Sequence, residues 1–450
     1  MGEAKEKTNS IKRKTKIIAT LGPASINSID RLLKYTDIIR INFAHGDAKV
    51  HKMYFSLVNK RVPILVDLPG PKLRIGEIKG EIHLKKGEKV IFGKNGIPVD
   101  DPIFFDIVKK GINIFIADGR IKVAITDVGK DYAEGVVKEG GILTSKKGIN
   151  IPHGKIVSGV TKKDLELLKE ALKLGATYIG VSFVANKDDI LKIRDVVKDK
   201  AWIIAKIERE VALKNIEEIV EVADGIMVAR GDLGIEVGLP NLPKAQKIII
   251  HKARKFGKPV ILATQVLESM VDSPIPTRAE TIDIANSVLE GVDAIMLSDE
   301  TSIGKYPIDA VKALNDIIIK AEKSFRPKEI QLYKNVDEAI AYSATIISEL
   351  SKASMIVTYT RSGSTTLRIS RLRPSCTILS LTPSSDVANK LKICYGVYSK
   401  KVSELKTIDN IIRTAKKEAK KLNRKGFIVI VGGVGKDSKG TTRFLRIEKV

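Results

Sequence analysis

Short apolar runs recur through the first 300 residues, alternating with longer segments in which apolar residues return every three or four positions. Eight runs stand out, at 16–20, 38–42, 63–67, 178–183, 202–207, 225–229, 259–264 and 294–298, and segments such as 241–256 and 279–289 between them carry the helical spacing. Parallel strands need a crossover, and a helix is the usual one, so eight strand–helix repeats predict an α/β fold built on a closed (β/α)8 TIM barrel. In such a barrel the reactive side chains gather at the C-terminal ends of the strands. Those ends read Asn42, Asp67, Ser182, Lys206 with Glu208, Arg230 with Asp232, Thr264, and Ser298 with Glu300.

Two intervals break the repeat. Residues 70–158 read as short β segments (89–92, 113–117, 121–126) punctuated by Gly turns, which predicts a small β-barrel inserted into one βα loop as a lid over the barrel mouth. Beyond Arg326 and Pro327 a new alternation begins, with helices at 336–350, 364–372 and 407–422 and strands at 355–358, 377–381, 427–431 and 443–447. This predicts a C-terminal open α/β domain. The expected division is 1–69 with 159–328 for the catalytic barrel, 70–158 for the lid, and 329–450 for a C-terminal regulatory domain.

Composition narrows the partners. The chain sets 78 Lys and Arg against 53 Asp and Glu, a net charge of +25. Clustered basic residues are the footprint of nucleic-acid binding, yet aromatics are only 5%, no nucleic-acid module is present, and Lys interleaves with Glu and Asp along the apparent helices. No nucleic-acid partner is expected. The excess concentrates in 331–450, where 23 basic and nine acidic residues leave +14, a field that draws small phosphorylated ligands. No apolar run approaches the roughly 18 residues that cross a bilayer, and the Lys-rich first 16 residues lack a signal-peptide core. The expected address is cytoplasmic, with no membrane partner. Cys376 and Cys394 lack the spacing of a CxxC site and are too few for a disulfide framework, so both are expected as buried thiols.

Glu208 and Asp232 end adjacent strands, so their carboxylates can share one hard divalent cation that keeps waters and substrate oxygens as its other ligands. That set suits Mg2+ or Mn2+ better than zinc. Lys206 stands two residues before Glu208, and on a strand the two side chains point the same way, which puts an ammonium beside the metal to stabilise charge developing on an oxygen. The plainer alternative is a structural salt bridge between Lys206 and Glu208. Arg40, Asn42 and His45 share the segment RINFAHG, and the planar Arg fork suits a carboxylate or phosphate. In ARGDLG, at 229–234, Gly231 and Gly234 let backbone N–H groups approach an anion. Thr264 and Ser298 add hydroxyls able to relay a proton, with packing inside the barrel an equal reading for each.

The motifs TKIIATLGPAS (15–25), RINFAHG (40–46), KKGINIP (146–152), KIE (206–208), IMVARGDLGIE (226–236), KPVILATQVLESM (258–270), PTRAE (276–280) and IMLSDETSIGKYP (295–307), in this order, resemble those of the pyruvate kinase family. The likeness runs from Thr15 to the C-terminus. It implies phosphoryl transfer from phosphoenolpyruvate to ADP, giving pyruvate and ATP in glycolysis. It also implies that Glu208 and Asp232 hold the divalent cation, and that Lys206 neutralises the transferring phosphoryl group and the enolate oxygen. Arg40, Gly231, Asp232 and Thr264 would bind phosphoenolpyruvate with Lys206. Asn42, His45, Arg74 and Lys147 fall at nucleotide-side positions, and Thr264, Ser298 and Glu300 at those of the family's proton relay. TRSGSTT, at 360–366, resembles the hydroxyl-rich phosphate-effector loop of allosteric members and nominates Thr360, Ser362, Gly363, Ser364 and Thr365, just before an apparent helix whose N–H groups favour anions. A homotetramer is implied as well.

Departures from the family pattern carry their own expectations. Where NFSHG is common this chain has Ala44, and where DTKGPEIR is common it reads DLPGPKLR at 67–74, with Lys72 in place of Glu. One oxygen ligand for a monovalent ion is missing and a tethered ammonium is added, so K+ is expected not to be required. Asn42 and Asp67 remain as a weak monovalent site at most. LSDE in place of LSGE sets Asp299 beside the relay residues, and nothing in the sequence accounts for it. GGVGK at 432–436 is no P-loop, because Ile430 stands where the first Gly belongs and Asp437 follows the Lys. A metal-dependent barrel aldolase or lyase acting on pyruvate is the competing enzyme, but it leaves the lid with Lys147 and the basic third domain unexplained. An RNA- or membrane-associated basic protein is the non-enzymatic alternative.

Overall fold

Period-two alternation decides what each barrel strand presents to each side. The computed structural model describes residues 13–152, 158–324, 335–433 and 442–450. The Lys-rich residues 1–12, the expected division at 328/329, and Val434, Gly435 and Lys436 of the GGVGK segment lie outside the described residues. Strands β1 (Lys16–Thr20), β2 (Ile38–Asn42) and β3 (Ile64–Asp67) come first. An insertion follows, with β4 (Leu73–Arg74), β5 (Ile82–Leu84), β6 (Lys89–Gly93), β7 (Asn113–Ile116), β8 (Ile121–Val128), β9 (Tyr132–Glu139), β10 (Gly141–Leu143) and β11 (Gly148–Asn150). The strands β12 (Tyr178–Val181), β13 (Trp202–Ile207), β14 (Gly225–Ala229), β15 (Val260–Ala263) and β16 (Ala294–Leu297) complete a closed barrel in the order β1-β16-β15-β14-β13-β12-β3-β2. All its neighbours are parallel. The eight predicted runs are the eight strands.

The crossover helices are set by their ends. Thr161 and Thr277 close reciprocal capping boxes at the starts of Lys162–Leu174 and Arg278–Glu290, and left-handed Gly175 and Gly291 end them. Under these helices lie the outward-facing residues of the strands, among them Ile17, Ile39, Ile41, Val66, Ile179 and Ile203. The inward row holds Ile18, Ile38, Leu65, Tyr178, Ile204, Met227 and Met296. Two residues further along the same row stand Thr20, Arg40, Asp67, Lys206 and Ser298. The row turns from apolar to polar going up the barrel, so the mouth carries the chemistry and the base carries the packing.

That base continues into the C-terminal unit, because one apolar cluster joins Ile18, Ile38 and Tyr178 to Ile369, Ile378, Leu391 and Val397. There β17 (Met355–Tyr359), β18 (Thr377–Thr382), β19 (Val397–Lys401), β20 (Phe427–Gly432) and β21 (Phe444–Lys449) form an open sheet in the order β19-β18-β17-β20-β21, antiparallel only at β21. Neither β19 nor the helix Ser385–Lys390 is signalled by the sequence pattern. β19 is an edge strand with a largely half-buried, Lys-ended sequence, so it lacks an apolar run.

The lid surrounds its own core of Phe92, Phe104, Ile114, Ile116, Val123 and Leu143. The small β-barrel expected there is built as a curled six-stranded antiparallel sheet, β4-β11-β7-β8-β9-β6, with the ribbon β10-β5 beside it. Strands β4, β5, β10 and β11 have two or three residues each, too few for any periodic signal. The chain enters the lid through β4 and leaves through β11, and these two roots pair with each other, Arg74 opposite Gly148 and Leu73 opposite Ile149. No helix among the described residues is long and apolar enough to cross a membrane.

Candidate active site

β13 delivers Lys206 into the mouth, where its Nζ lies 3.0 Å from Asp67 Oδ1 and 3.0 Å from Glu208 Oε1. It also donates to Ser182 Oγ at 2.6 Å, and that hydroxyl donates to the Leu68 carbonyl at 2.7 Å. Asp67 takes two further bonds on Oδ2, from Arg40 Nε at 3.0 Å and Nη2 at 2.6 Å. Arg40 Nη1 reaches Thr20 Oγ1 at 3.0 Å. Gly180 leaves room for this cluster, since a Cβ there would lie 3.2 Å from Asp67 Oδ1. Burial works against the charge on Lys206, but Asp67 and Glu208 outweigh it, so the ammonium pKa is raised and it stays charged. Asp67 is likewise held below the ordinary carboxylate range, with Lys206 and Arg40 overcoming its burial. The Lys206–Glu208 salt bridge weighed from the sequence is present, as one arm of this larger cluster.

Glu208 Oε2 accepts the N–H of Phe183 at 2.6 Å, from a residue in the left-handed region at φ 55°. Burial pushes its carboxyl up, Lys206 pulls it down, and the charge of Asp232 pushes it up again. Asp232 lies in the first turn of the helix Arg230–Val237 and accepts Lys72 Nζ at 3.0 Å and Asn150 Nδ2 at 2.8 Å, both on Oδ1. Burial opposes its charge, and Lys72, Asn150 and Lys206 together outweigh it, leaving its pKa lowered. Asn150 Oδ1 is buried beside it without a hydrogen-bond partner. Two carboxylates within electrostatic reach of each other, next to an unsatisfied amide oxygen, make an all-oxygen donor set. The residues therefore fit a hard divalent cation that completes its sphere with water and substrate oxygens.

After the adjacent strand β15, Thr264 (φ 65°) and Gln265 (φ 51°) are both left-handed. Buried Arg230 holds this strained turn, with Nε on the Thr264 carbonyl at 3.2 Å, Nη2 on the Gln265 carbonyl at 2.7 Å, and Nη1 paired with Asp283 at 2.6 Å. Thr264 Oγ1 accepts the Gly231 N–H at 2.8 Å and donates to the Ala263 carbonyl at 2.6 Å. Ser298 Oγ is buried without a partner. Glu300 accepts the backbone N–H of Leu267 at 2.9 Å and of Ser298 at 2.7 Å, so its carboxylate faces main chain rather than either hydroxyl, and burial raises its pKa.

The pyruvate kinase barrel-domain model matches residues 12–311, and the pyruvate kinase alpha/beta-domain model matches 338–448. The chain belongs to the pyruvate kinase family. Relatives called pyruvate kinase include one from Agrobacterium vitis, 39% identical over 97% of this chain and 97% of its own length. One from Thermococcus litoralis is 40% identical over 86% and 88%, and one from Methanocaldococcus jannaschii 37% identical over 94% and 95%. The pyruvate kinase family consists of phosphotransferases acting on phosphoenolpyruvate and ADP, generally with Mg2+.

The positions that resemble nucleotide-side residues of pyruvate kinases lie on the barrel rim and the lid. Asn42 Oδ1 accepts the Ala44 N–H at 3.0 Å, and His45, on the rim, has its pKa lowered by partial desolvation and then by the charges of Arg74 and Arg40. Arg74 Nη1 donates to the Lys146 carbonyl at 3.0 Å, and Lys147 is exposed next to β11. Asp299 is exposed, within electrostatic reach of His45 and Glu268. At the end of β17, Thr360, Ser362 and Gly363 lie in the loop that leads into the helix Ser364–Ser370, whose first turn holds Ser364 and Thr365. Thr360 Oγ1 accepts the Gly363 N–H at 2.9 Å, Thr365 shares a hydrogen bond with Thr442 at 2.9 Å, and Ser362 and Ser364 face each other at 3.1 Å.

Four residues gain a part that sequence reasoning did not assign. Thr20 and Ser182 orient Arg40 and Lys206, and strand parity alone could have pointed both inward. Arg230, read from the sequence only as a strand-end residue, grips the strained turn through the Thr264 and Gln265 carbonyls. Asn150 meets Asp232 only because the lid root folds back onto the barrel, and no local signal marks it.

Proposed function

We propose that this chain transfers the phosphoryl group of phosphoenolpyruvate to ADP at the barrel mouth, as a glycolytic enzyme of the cytoplasm. The observation that carries the reading is Lys206, a buried ammonium held charged between Asp67 and Glu208 with Arg40 alongside. Transfer through a metaphosphate-like transition state needs positive charge and positioning more than covalent help. Arg40 and Lys206 would flank the phosphoryl group, and Lys206 would meet the charge that develops on the enolate oxygen. The first turn of Arg230–Val237 would present the N–H of Asp232 to the substrate carboxylate, while the Gly231 N–H holds the Thr264 hydroxyl beside it. Glu208 and Asp232 would hold Mg2+ or Mn2+, which supplies Lewis-acid neutralisation of phosphoryl oxygens. Thr264 and Ser298 would carry the proton that converts enolpyruvate to pyruvate, with Glu300 fixing the backbone around Ser298. Asn42, His45, Arg74 and Lys147 would take the nucleotide. The domain limits proposed are 69/70, 158/159 and 328/329.

The test is a coupled assay with Mg2+ or Mn2+ that follows pyruvate and ATP together. Equal production of both, dependent on ADP, is expected. Pyruvate consumption or carbon–carbon cleavage without nucleotide would favour the aldolase or lyase reading instead.

K+ is proposed not to be required. Lys72 brings a fixed ammonium to the site, Ala44 supplies no hydroxyl, and Asp67 already pairs with Arg40 and Lys206. We further propose a homotetramer regulated by a phosphorylated small molecule at Thr360, Ser362, Gly363, Ser364 and Thr365, supported by the hydroxyl-rich loop and the basic C-terminal region. Light scattering reports the assembly. If Ser364→Asp leaves every response to sugar phosphates intact, that effector assignment is wrong.

A further inference from the structure

We infer that Lys72 is a tethered cation that competes with the divalent metal for Asp232, so that metal loading loosens the grip of the lid on the barrel. The inference rests on Asp232 being a metal ligand, as proposed above. Lys72 directly precedes β4, the strand through which the chain enters the lid. Its Nζ lies 3.0 Å from Asp232 Oδ1 and 3.3 Å from Oδ2, engaging both oxygens, and 5.8 Å from the centre of the Phe183 ring. From the other root of the lid, β11, Asn150 donates to the same Oδ1 at 2.8 Å. Both roots of the lid thus converge on one barrel carboxylate.

The chain makes room for this arrangement. Gly148, in β11, lies against the Lys72 stem, and a Cβ there would sit 2.6 Å from Lys72 Cε. Any larger residue would push the stem away from Asp232. A divalent cation on Asp232 needs at least one of the oxygens that Lys72 occupies, and its double charge repels an ammonium at that range. Lys72 is one-fifth exposed at the lid hinge, so its four-carbon stem has somewhere to go. Once displaced, it leaves Asn150 as the remaining contact of this pair between the lid and Asp232. The freed ammonium stays within a side chain's length of the site, where it adds positive charge without an exchangeable ion.

The test is Mn2+ titration of the full chain without substrates, by calorimetry and by the electron paramagnetic resonance signal of free Mn2+. Wild type is compared with Lys72→Met, Lys72→Gln and Asp232→Asn, and amide exchange at 148–150 is followed in parallel. Lys72→Met and Lys72→Gln are expected to bind Mn2+ about fivefold to tenfold more tightly, the scale of a partly exposed ion pair. In wild type, Mn2+ should speed exchange at 148–150, and in Lys72→Met exchange should already be fast and indifferent to metal. If Asp232→Asn weakens binding while both Lys72 variants stay within about twofold of wild type, the competition is overturned. If Asp232→Asn also binds like wild type, the metal assignment itself fails. Should wild type bind no Mn2+, binding gained by the Lys72 variants supports the inference and its continued absence overturns it. Exchange slowed by Mn2+ in wild type would refute the loosening.

Discussion

Replacing Lys206 with Met removes one charge and keeps the apolar stem, and its consequences separate into stability and rate. In the resting site Asp67 and Glu208 each lose an ammonium 3.0 Å away. Asp67 keeps Arg40, whereas Glu208 keeps the Phe183 N–H as its remaining partner in this cluster. Breaking a buried pair costs roughly 3–5 kcal/mol when the orphaned charge has no relief. Glu208 has relief, because burial already raises its carboxyl and it takes up a proton once the ammonium is gone, so about 2–3 kcal/mol is the expected loss. In the transition state, an oxygen charge about 4 Å from the ammonium at an effective dielectric near 20 is stabilised by about 4 kcal/mol. Losing it lowers kcat by about a thousandfold. KM for phosphoenolpyruvate should move less than about threefold, since the lost interaction acts mainly in the transition state. The assay is steady-state pyruvate formation at saturating Mn2+, which offsets the weaker Glu208, alongside urea unfolding. Retention of more than about a tenth of kcat, a loss under 1.4 kcal/mol, would refute the role. A stability loss without a rate loss would leave Lys206 as a structural ion.

Arg230→Lys keeps a charge for Asp283 but loses the fork on the Thr264 and Gln265 carbonyls. It should cost about 1–3 kcal/mol in urea unfolding and lower kcat through the displaced Thr264 hydroxyl, and an unchanged midpoint with unchanged kcat would sink the buttress argument. The His45 pKa is lowered from 6.5, so the folded chain binds fewer protons than the unfolded one in the window just below that value. Stability should therefore rise with pH there and fall as pH drops through it, and His45→Asn should flatten the slope. Adding KCl to Na+- and K+-free buffer at constant ionic strength should leave the rate within about tenfold, 1.4 kcal/mol. Lys72→Glu combined with Ala44→Ser should acquire K+ activation, and a native enzyme that already needs the ion refutes the substitution of Lys72 for it.

The barrel was legible because its signal is local. Alternation on a strand and three-to-four spacing on a helix are properties of neighbouring residues, and the eight runs and their polar ends follow from them without any knowledge of packing. The short lid strands and the edge strand β19 were not legible for the same reason, having too few residues or too little apolar character to show a period. The convergence of Lys206, Glu208 and Asp232 followed from strand adjacency. That Glu300 would face the main chain of Leu267 and Ser298 did not, since a side chain's direction within a turn depends on what packs around it.

By itself, the sequence determined which runs become barrel strands, and with them the polar side chains that end those strands at the mouth. Which of those side chains touch was decided only by tertiary structure. Closure of the barrel brings Arg40 and Lys206 onto the two oxygens of Asp67, and leaves Thr20 and Ser182 to hold them. The return of the lid root brings Lys72 and Asn150 onto Asp232, across separations of 160 and 82 residues. Local pattern sets the direction in which a side chain points, because the backbone geometry of a strand is the same everywhere. Contacts between residues so far apart depend on how whole elements dock, which no local stretch of the chain encodes.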